Sequence, residues 1–325
     1  MKAVVRHRYG AADVLELENL PKPLPAENEV LIRIRAAALN PLDWHLMRGA
    51  PWFLRLFIGL WKPRSIRLGV DVAGTIVGLG TGVTEFRLGD EVFGAVDGAL
   101  AEYVCGPLSA FVRKPANVTP EEAAAIPIGG LTALQALRDK GHVKPGDTVL
   151  INGASGGVGT FAIQIARWLG AIATGVCSSR NADLVRSLGA HRVIDYTRED
   201  FANDGERYDV VFDLVGNRTL SDFRKVLKTK GVFIGCGAGG PDKPAGQLLA
   251  GMIRQIAAGW FTSQTVTGIL AKRNKADLEI LRELLGNGLI KSVIDQRYRL
   301  SDVPEAIRYL EQGHARGKVV IAIDA

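Results

Sequence analysis

Thr148-Val-Leu-Ile-Asn-Gly-Ala-Ser-Gly-Gly-Val-Gly159-Thr-Phe-Ala-Ile-Gln-Ile-Ala166 decides the reading of this chain. An apolar run of strand character ends in a glycine turn that opens directly into an amphipathic helical pattern. Gly153, Gly156 and Gly159 recur every third residue. Without Cβ atoms they let the backbone turn tightly and approach a ligand, while the helix N-terminus offers N–H groups and a positive dipole end. A glycine-rich turn can also do no more than pack a helix on a sheet. Here a second strand at Ile172 to Cys177 completes a βαβ unit, so the stretch reads as the pyrophosphate turn of a dinucleotide site.

At 325 residues the chain is longer than a single core usually grows, and two domains are expected. A hydrophobic share of 47% with 38 glycines fits an α/β architecture rich in tight turns. The formal charge of +6 is spread over interspersed lysines and arginines, which gives no support to a nucleic-acid role and can help attract a polyanionic cofactor. Cys105, Cys177 and Cys236 stand far apart in no ligand spacing, against a disulfide framework or a four-cysteine zinc lobe and in favour of a reduced, cytoplasmic setting. Met1-Lys-Ala-Val-Val runs straight into a strand pattern with no export signal. Phe53 to Trp61 is apolar but too short to span a bilayer and is interrupted by Arg55, so no integral membrane segment is expected.

Up to about Asn117 short strands such as Val30 to Ala36, Asp71 to Leu79 and Asp90 to Phe93 alternate with Gly, Pro and Asp turns, the pattern of a barrel-like β domain. Thr119-Pro-Glu-Glu122 is a helix start with a threonine cap and first-turn acids. From there strands at Thr148 to Asn152, Ile172 to Cys177, Arg192 to Asp195, Val210 to Leu214 and Gly231 to Gly235 alternate with helices, which predicts a doubly wound parallel sheet. Beyond about Gly259 the chain is expected to leave that sheet, and Lys318 to Ile323 to rejoin the first domain.

An acid closing the second strand would hold a ribose 2′-hydroxyl and repel a 2′-phosphate. This chain has Ser178, Ser179 and Arg180 there, hydroxyls and a guanidinium suited to a phosphate, with Tyr196 able to add a hydroxyl from the next strand end. NADPH is therefore favoured over NADH, against the simpler view of Arg180 as a solvated strand-end residue.

Asn40-Pro-Leu-Asp43, Gly69-Val-Asp-Val-Ala-Gly74, Gly89-Asp-Glu-Val-Phe93, Ile126-Pro-Ile-Gly-Gly-Leu-Thr-Ala133, Asn152 to Gly159 and Gly317-Lys-Val-Val320 together carry a resemblance to the medium-chain dehydrogenase/reductase superfamily, within it to zinc-independent quinone oxidoreductases and alkenal reductases. The resemblance implies a GroES-like, mainly β catalytic domain from residues 1–118 and 265–325, a Rossmann NADP-binding domain inserted at 119–264, and an active site in a cleft between them. It also implies a homodimer. Where zinc-using relatives place cysteine and a Gly-His-Glu pattern, this chain has Asn40 and Gly69-Val70-Asp71, so no catalytic metal is expected, Asp43 and His45 alone being too few ligands.

Without a Lewis acid, a conjugated acceptor is the chemical escape. Hydride entering a quinone or an α,β-unsaturated carbonyl leaves a charge that hydrogen bonds can stabilise. By resemblance Asn40 lies beside the nicotinamide or the acceptor oxygen, its alternative being a cap on the Pro41 turn. His45 is a candidate to bind substrate or protonate product, or a satisfied surface histidine. Thr132, taken to stand at a helix start, would lie near the nicotinamide or serve as a buried cap. Ser155, Gly156, Gly157 and Val158 would carry the pyrophosphate; Val215, Gly235 and Cys236 mark later strand ends along the cofactor; Ile269, Leu270 and Ala271 match the segment facing the carboxamide. Cys236 is read as packing rather than as a reactive thiol. Trp52, Phe53, Phe57 and Trp61, and an amphipathic pattern over Gln247 to Phe261, are open between a greasy cleft and a dimer surface. The expected activity is NADPH-dependent reduction of a quinone or enone. The alternatives are an NADP-linked alcohol dehydrogenase or carbonyl reductase, and a non-catalytic NADPH-binding sensor or assembly protein.

Overall fold

The computed structural model describes residues 1–203, 205–236 and 263–323. The first part of the chain supplies β1 (Lys2–Arg6), β2 (Leu15–Asn19), β3 (Glu29–Leu39), β4 (Asp71–Leu79), β5 (Glu91–Ala95), β6 (Tyr103–Pro107) and β7 (Phe111–Arg113). The middle supplies β8 (Thr148–Asn152), β9 (Ile172–Cys177), β10 (Arg192–Asp195), β11 (Tyr208–Asp213), β12 (Leu227–Gly235) and β13 (Thr265–Gly268). The last part returns with β14 (Ile294–Arg299) and β15 (Lys318–Ala322).

Two compact units result: Met1–Leu131 with Arg273–Ala325, and Thr132–Lys272. In the first, β1 pairs with β2, and a seven-stranded sheet runs β14-β15-β3-β4-β5-β7 with β6 also on β3. β3 is its organiser. One edge pairs with β4 throughout, while the other takes β6 along Glu29 to Arg33 and β15 along Ala36 to Leu39. Irregular register at Leu31/Ile32 and Ile34/Ala36 bends the strand between these partners, the curvature a barrel-like sheet needs. Its alternate side chains Val30, Ile32 and Ile34 join Leu39, Val72, Ile76, Val92 and Phe111 in the core. The final strand does rejoin this domain. The helix Pro120–Ala124, which opens the alternating part of the sequence, carries the expected Thr119–Glu122 capping box and packs on β3, β4, β5 and β15.

The second unit is a six-stranded, wholly parallel sheet in the order β10-β9-β8-β11-β12-β13. The direction of winding reverses between β8 and β11, the place where such sheets bind ligands beyond their carboxyl ends. Leu150, Val176, Val211, Phe223 and Phe233 lie in its core. One expectation is corrected: the chain does not leave this sheet near Gly259, since Thr265–Gly268 pairs in parallel with β12 from Val232 to Gly235. Four residues are too few for a readable alternation, and their partner strand rather than their composition defines them.

Candidate active site

The parallel registers put Asn152 beside Asp213, Cys177 beside Asp195, and Asp213, Gly235 and Gly268 abreast, so one edge of the sheet collects most of the residues expected at the cofactor. The glycine turn follows β8 there. Gly153 has φ +87°, and a Cβ on Gly159 would sit 2.1 Å from the Gly153 carbonyl oxygen, so both positions exclude a side chain. The N–H groups of Gly153 and Ala154 donate to Val176 O, tying the turn to β9. Asn181 donates to Ser155 Oγ at 3.0 Å, which fixes the first hydroxyl of the loop. The helix Gly159–Trp168 then starts with eight consecutive buried residues, so its N-terminus is held rigidly against the sheet. A half-exposed turn with four glycines among its seven residues, opening into the N-terminus of a buried helix, fits a pyrophosphate.

Asp213 orders the neighbouring loop. It accepts from Asn152 Nδ2 at 2.8 Å and from the N–H groups of Val215 at 3.1 Å and Gly216 at 3.2 Å. Cys236 N–H donates to Asp213 O, and Ile269 N–H to Gly235 O. Burial, with the nearby Asp213 charge second, pushes the Cys236 thiol up to about 12, which suits packing rather than nucleophilic chemistry. Leu270 is exposed and Ile269 and Ala271 half-buried just past β13.

At the end of β9, Ser178 and the exposed Ser179 and Arg180 lie where a 2′-phosphate is expected, and Tyr196 is exposed at the end of β10. Sequence reasoning missed Asp195. It closes β10 rather than β9, and Ser179 Oγ donates to its carboxylate. Hydrogen bonds from Ser179 and Thr197 hold that carboxyl down to about 2, so it is an anion next to one of the hydroxyls assigned to phosphate recognition.

In the first unit β3 ends at Leu39, and Asn40 opens the helix Pro41–Arg48. Asp43 accepts the Asn40 backbone N–H at 2.7 Å, the acidic half of a capping box. The Asn40 side chain turns elsewhere: its Nδ2 donates to Asp71 Oδ2 at 2.9 Å and its Oδ1 accepts from Lys318 Nζ at 2.6 Å. Lys318 also reaches Asp71 Oδ2 at 3.0 Å, and the Ile128 N–H donates to Asp71 Oδ1 at 2.9 Å. Asn40, Asp43, Asp71 and Lys318 are all buried. Because Lys318 can only donate, it fixes which end of the Asn40 amide is oxygen, and the remaining amide hydrogen makes Asn40 a donor toward any bound group. Asp43 stands beside this pair with Oδ1 unbonded; burial is the largest influence, partly offset by the Asn40 N–H, and raises its carboxyl to about 7.

His45 stacks on Trp44 at 3.6 Å, and its Nδ1 lies 2.8 Å from Ala50 O. A carbonyl can only accept, so Nδ1 carries the proton and Nε2 presents a lone pair; burial lowers the imidazole below its usual range and keeps it neutral. Among the described residues no group of three or more His, Cys, Asp and Glu side chains is disposed to hold a metal ion. The cluster at Asn40 does not fit zinc, because its one fully engaged carboxylate, Asp71, already holds an ammonium ion.

The family models of an alcohol dehydrogenase GroES-like domain and of a zinc-binding dehydrogenase match residues 26–116 and 188–321. The chain is 33% identical to a chloroplast envelope quinone oxidoreductase homolog of Arabidopsis thaliana, over 99% of this chain and 98% of that one. The chain belongs to the medium-chain dehydrogenase/reductase superfamily. Another relative, 33% identical over 99% of this chain and 79% of its own length, is the chloroplastic NADPH-dependent alkenal/one oxidoreductase of Arabidopsis thaliana. A solved NAD-dependent alcohol dehydrogenase superposes with a TM-score of 0.86 at 30% identity, each chain covered in full. The superfamily's GroES-like catalytic domain and its Rossmann domain are thus the two units described above.

Within this superfamily member the structure assembles Asn40, Asp43 and His45 at one helix, and Ser155 to Val158, Val215, Gly235, Cys236 and Ile269 to Ala271 along one sheet edge. Thr132 is a correction. It is the sixth residue of the helix Pro127–Gln135, buried inside it rather than at its start. The helix packs closely on its neighbour, since a Cβ on Gly130 would stand 3.0 Å from Leu281 Cδ1. Lys318 and Asp71 were legible only as motif residues, without a role. The pattern over Gln247 to Phe261 lies outside the described residues.

Proposed function

We propose that this enzyme transfers hydride from NADPH to a quinone or an α,β-unsaturated carbonyl without a metal. NADPH, when bound, supplies the hydride at its nicotinamide C4. The observation that carries the acceptor class is the orientation of Asn40: Lys318 holds its Oδ1 and Asp71 takes one Nδ2 hydrogen, which leaves the second Nδ2 hydrogen as a neutral donor suited to the delocalised oxyanion of a reduced conjugated acceptor. His45 presents an acceptor at Nε2, which serves to bind a substrate hydroxyl better than to deliver a proton.

The glycine turn and the helix behind it support pyrophosphate binding. Ser178 and Arg180 support a 2′-phosphate, as does the NADPH dependence stated for the alkenal/one relative. Asp195 beside Ser179, together with the likeness to an NAD-dependent alcohol dehydrogenase, favours a second reading: a nicotinamide-linked alcohol dehydrogenase or carbonyl reductase. Reduced Cys105, Cys177 and Cys236 support a cytosolic location, and a homodimer completes the proposal.

The test is anaerobic loss of NADPH and NADH absorbance against quinones, 2-alkenals, enones and saturated aldehydes, with and without a chelator. Conjugated acceptors are expected to turn over with NADPH preferred and chelator without effect. Preferential turnover of saturated aldehydes, or activity lost to chelation and restored by zinc, would sink the proposal.

A further inference from the structure

The residues between Asp43 and Asp71 include no aspartate or glutamate, but they carry Arg48, Arg55, Lys62, Arg64 and Arg67. Interspersed as the charges are along most of the chain, this stretch holds five cations and no anion, a local net charge of +5. Arg48 is neutralised by Glu311. Arg55 lies over the Tyr9 ring at 4.6 Å and donates to the carbonyls of Gly49 and Arg48, and Arg64 donates to Phe57 O. Among the described residues no carboxylate forms an ion pair with Arg55, Lys62, Arg64 or Arg67.

The same segment exposes its largest apolar side chains. Trp52 is 63% exposed, Phe57 73% and Trp61 89%, with Leu56 and Leu60 also open. The three aromatic rings alone leave on the order of 400 Å² uncovered, in the range where a patch on a monomer usually has a partner. The backbone beneath is well fastened. A turn at Trp52–Leu54 runs into the helical turn Arg55–Ile58, Arg64 N–H donates to Ile58 O at 2.8 Å, and Tyr9 Oη donates to Gly59 O at 2.6 Å. A held loop therefore presents tryptophan, phenylalanine and leucine side chains together with the exposed Lys62 and Arg64, and with Arg55 and Arg67 half-buried beside them.

We infer that Trp52 to Arg67 docks the protein on an anionic lipid surface. Tryptophan is at home at the headgroup level, where its ring is buried and its N–H stays wet, and each arginine or lysine near the surface is drawn by anionic headgroups. The segment is too short to cross the bilayer, so docking is peripheral and reversible. A second copy of the chain is the poorer occupant, because it would bring four like charges against four. The inference is independent of the reaction proposed above.

The test is flotation of the full-length protein with phosphatidylcholine vesicles, with and without phosphatidylglycerol. Binding is expected only with the anionic lipid, about tenfold weaker in K62E/R64E, and largely lost as salt rises to about 0.5 M. Lipids brominated in the acyl chains are expected to quench the wild-type tryptophan emission, with most of the quenching gone in W52F/W61F, a pair of changes conservative enough to keep the fold. Equal binding to neutral vesicles, binding unchanged by K62E/R64E, or charge-dependent binding without quenching would each overturn the inference. So would a concentration-dependent dimer that K62E/R64E dissociates, since that would make a second copy the occupant.

Discussion

The buried cluster of the GroES-like domain and the strand-end cluster of the Rossmann domain use the same side-chain chemistry, an acid, an amide or hydroxyl and a cation, to opposite ends. Asn40, Asp71 and Lys318 are dry and bonded to one another from three distant parts of the chain. Ser179, Arg180 and Asp195 are local and wet, with Ser179 and Asp195 bonded to each other and to the nearby Thr197. Buried polar groups are costly to leave unsatisfied, whereas exposed ones are worth little to stability. The first cluster is thereby tied to folding, and the second is left adjustable, as the proposed role in choosing a cofactor requires.

The sharpest way to break this contrast is Lys318→Met. It leaves Asp71 charged and buried without its cation, and is expected to cost about 3 to 5 kcal/mol in denaturant unfolding, much of it recovered in the double variant with Asp71→Asn. A loss below 1 kcal/mol would put the cluster on the same footing as a surface pair. Asp43 gives a test by pH. Its carboxyl is raised from 3.8 to about 7 in the fold, so the folded state holds the proton longer than the unfolded chain. Stability from this group is complete below 3.8 and is lost as pH climbs through about 7, on the order of a few kcal/mol. Asp43→Asn keeps an oxygen for the Asn40 N–H and should flatten that dependence, as melting temperatures across the window will show.

On the wet side, Arg180→Asp is expected to leave the melting temperature nearly unchanged while weakening NADPH by about 10- to 100-fold more than NADH, as measured by fluorescence titration. Equal losses for the two cofactors would remove Arg180 from phosphate recognition. The smallest effect belongs to Asp195→Asn, which removes an anion beside Ser179 and should shift preference toward NADPH by about fivefold. An unchanged preference would show Asp195 to be neutral to the phosphate, and a shift toward NADH would show it to be an organiser of the phosphate site.

The wet cluster and its sheet were largely legible in the sequence because their signals are local. β8, β9 and β10 have the ends that their turn residues indicate, and the glycine turn announces itself. What stayed hidden depends on distant partners. A lysine at the head of a strand reads as solvated, and Lys318 is buried only because Asp71 and Asn40 lie 247 and 278 residues earlier. Thr132 was misplaced because the helix opens five residues earlier, at Pro127, a residue suited to a first helical position. Asp195 is hidden in the sequence because the acid that selects a ribose is expected at the end of the second strand, whereas this one ends the third.

The pairing of β15 with β3 also sets an order on biosynthesis. When Asp71 leaves the ribosome its cation is 247 residues away, and the whole parallel sheet is made before Lys318 arrives. Until then the catalytic half carries an anion with no counterion, and it cannot close around it at low cost. The last strand therefore acts as a proof of completeness: a chain that stops before Lys318 leaves Asp71 without its cation and β3 without one of its partners.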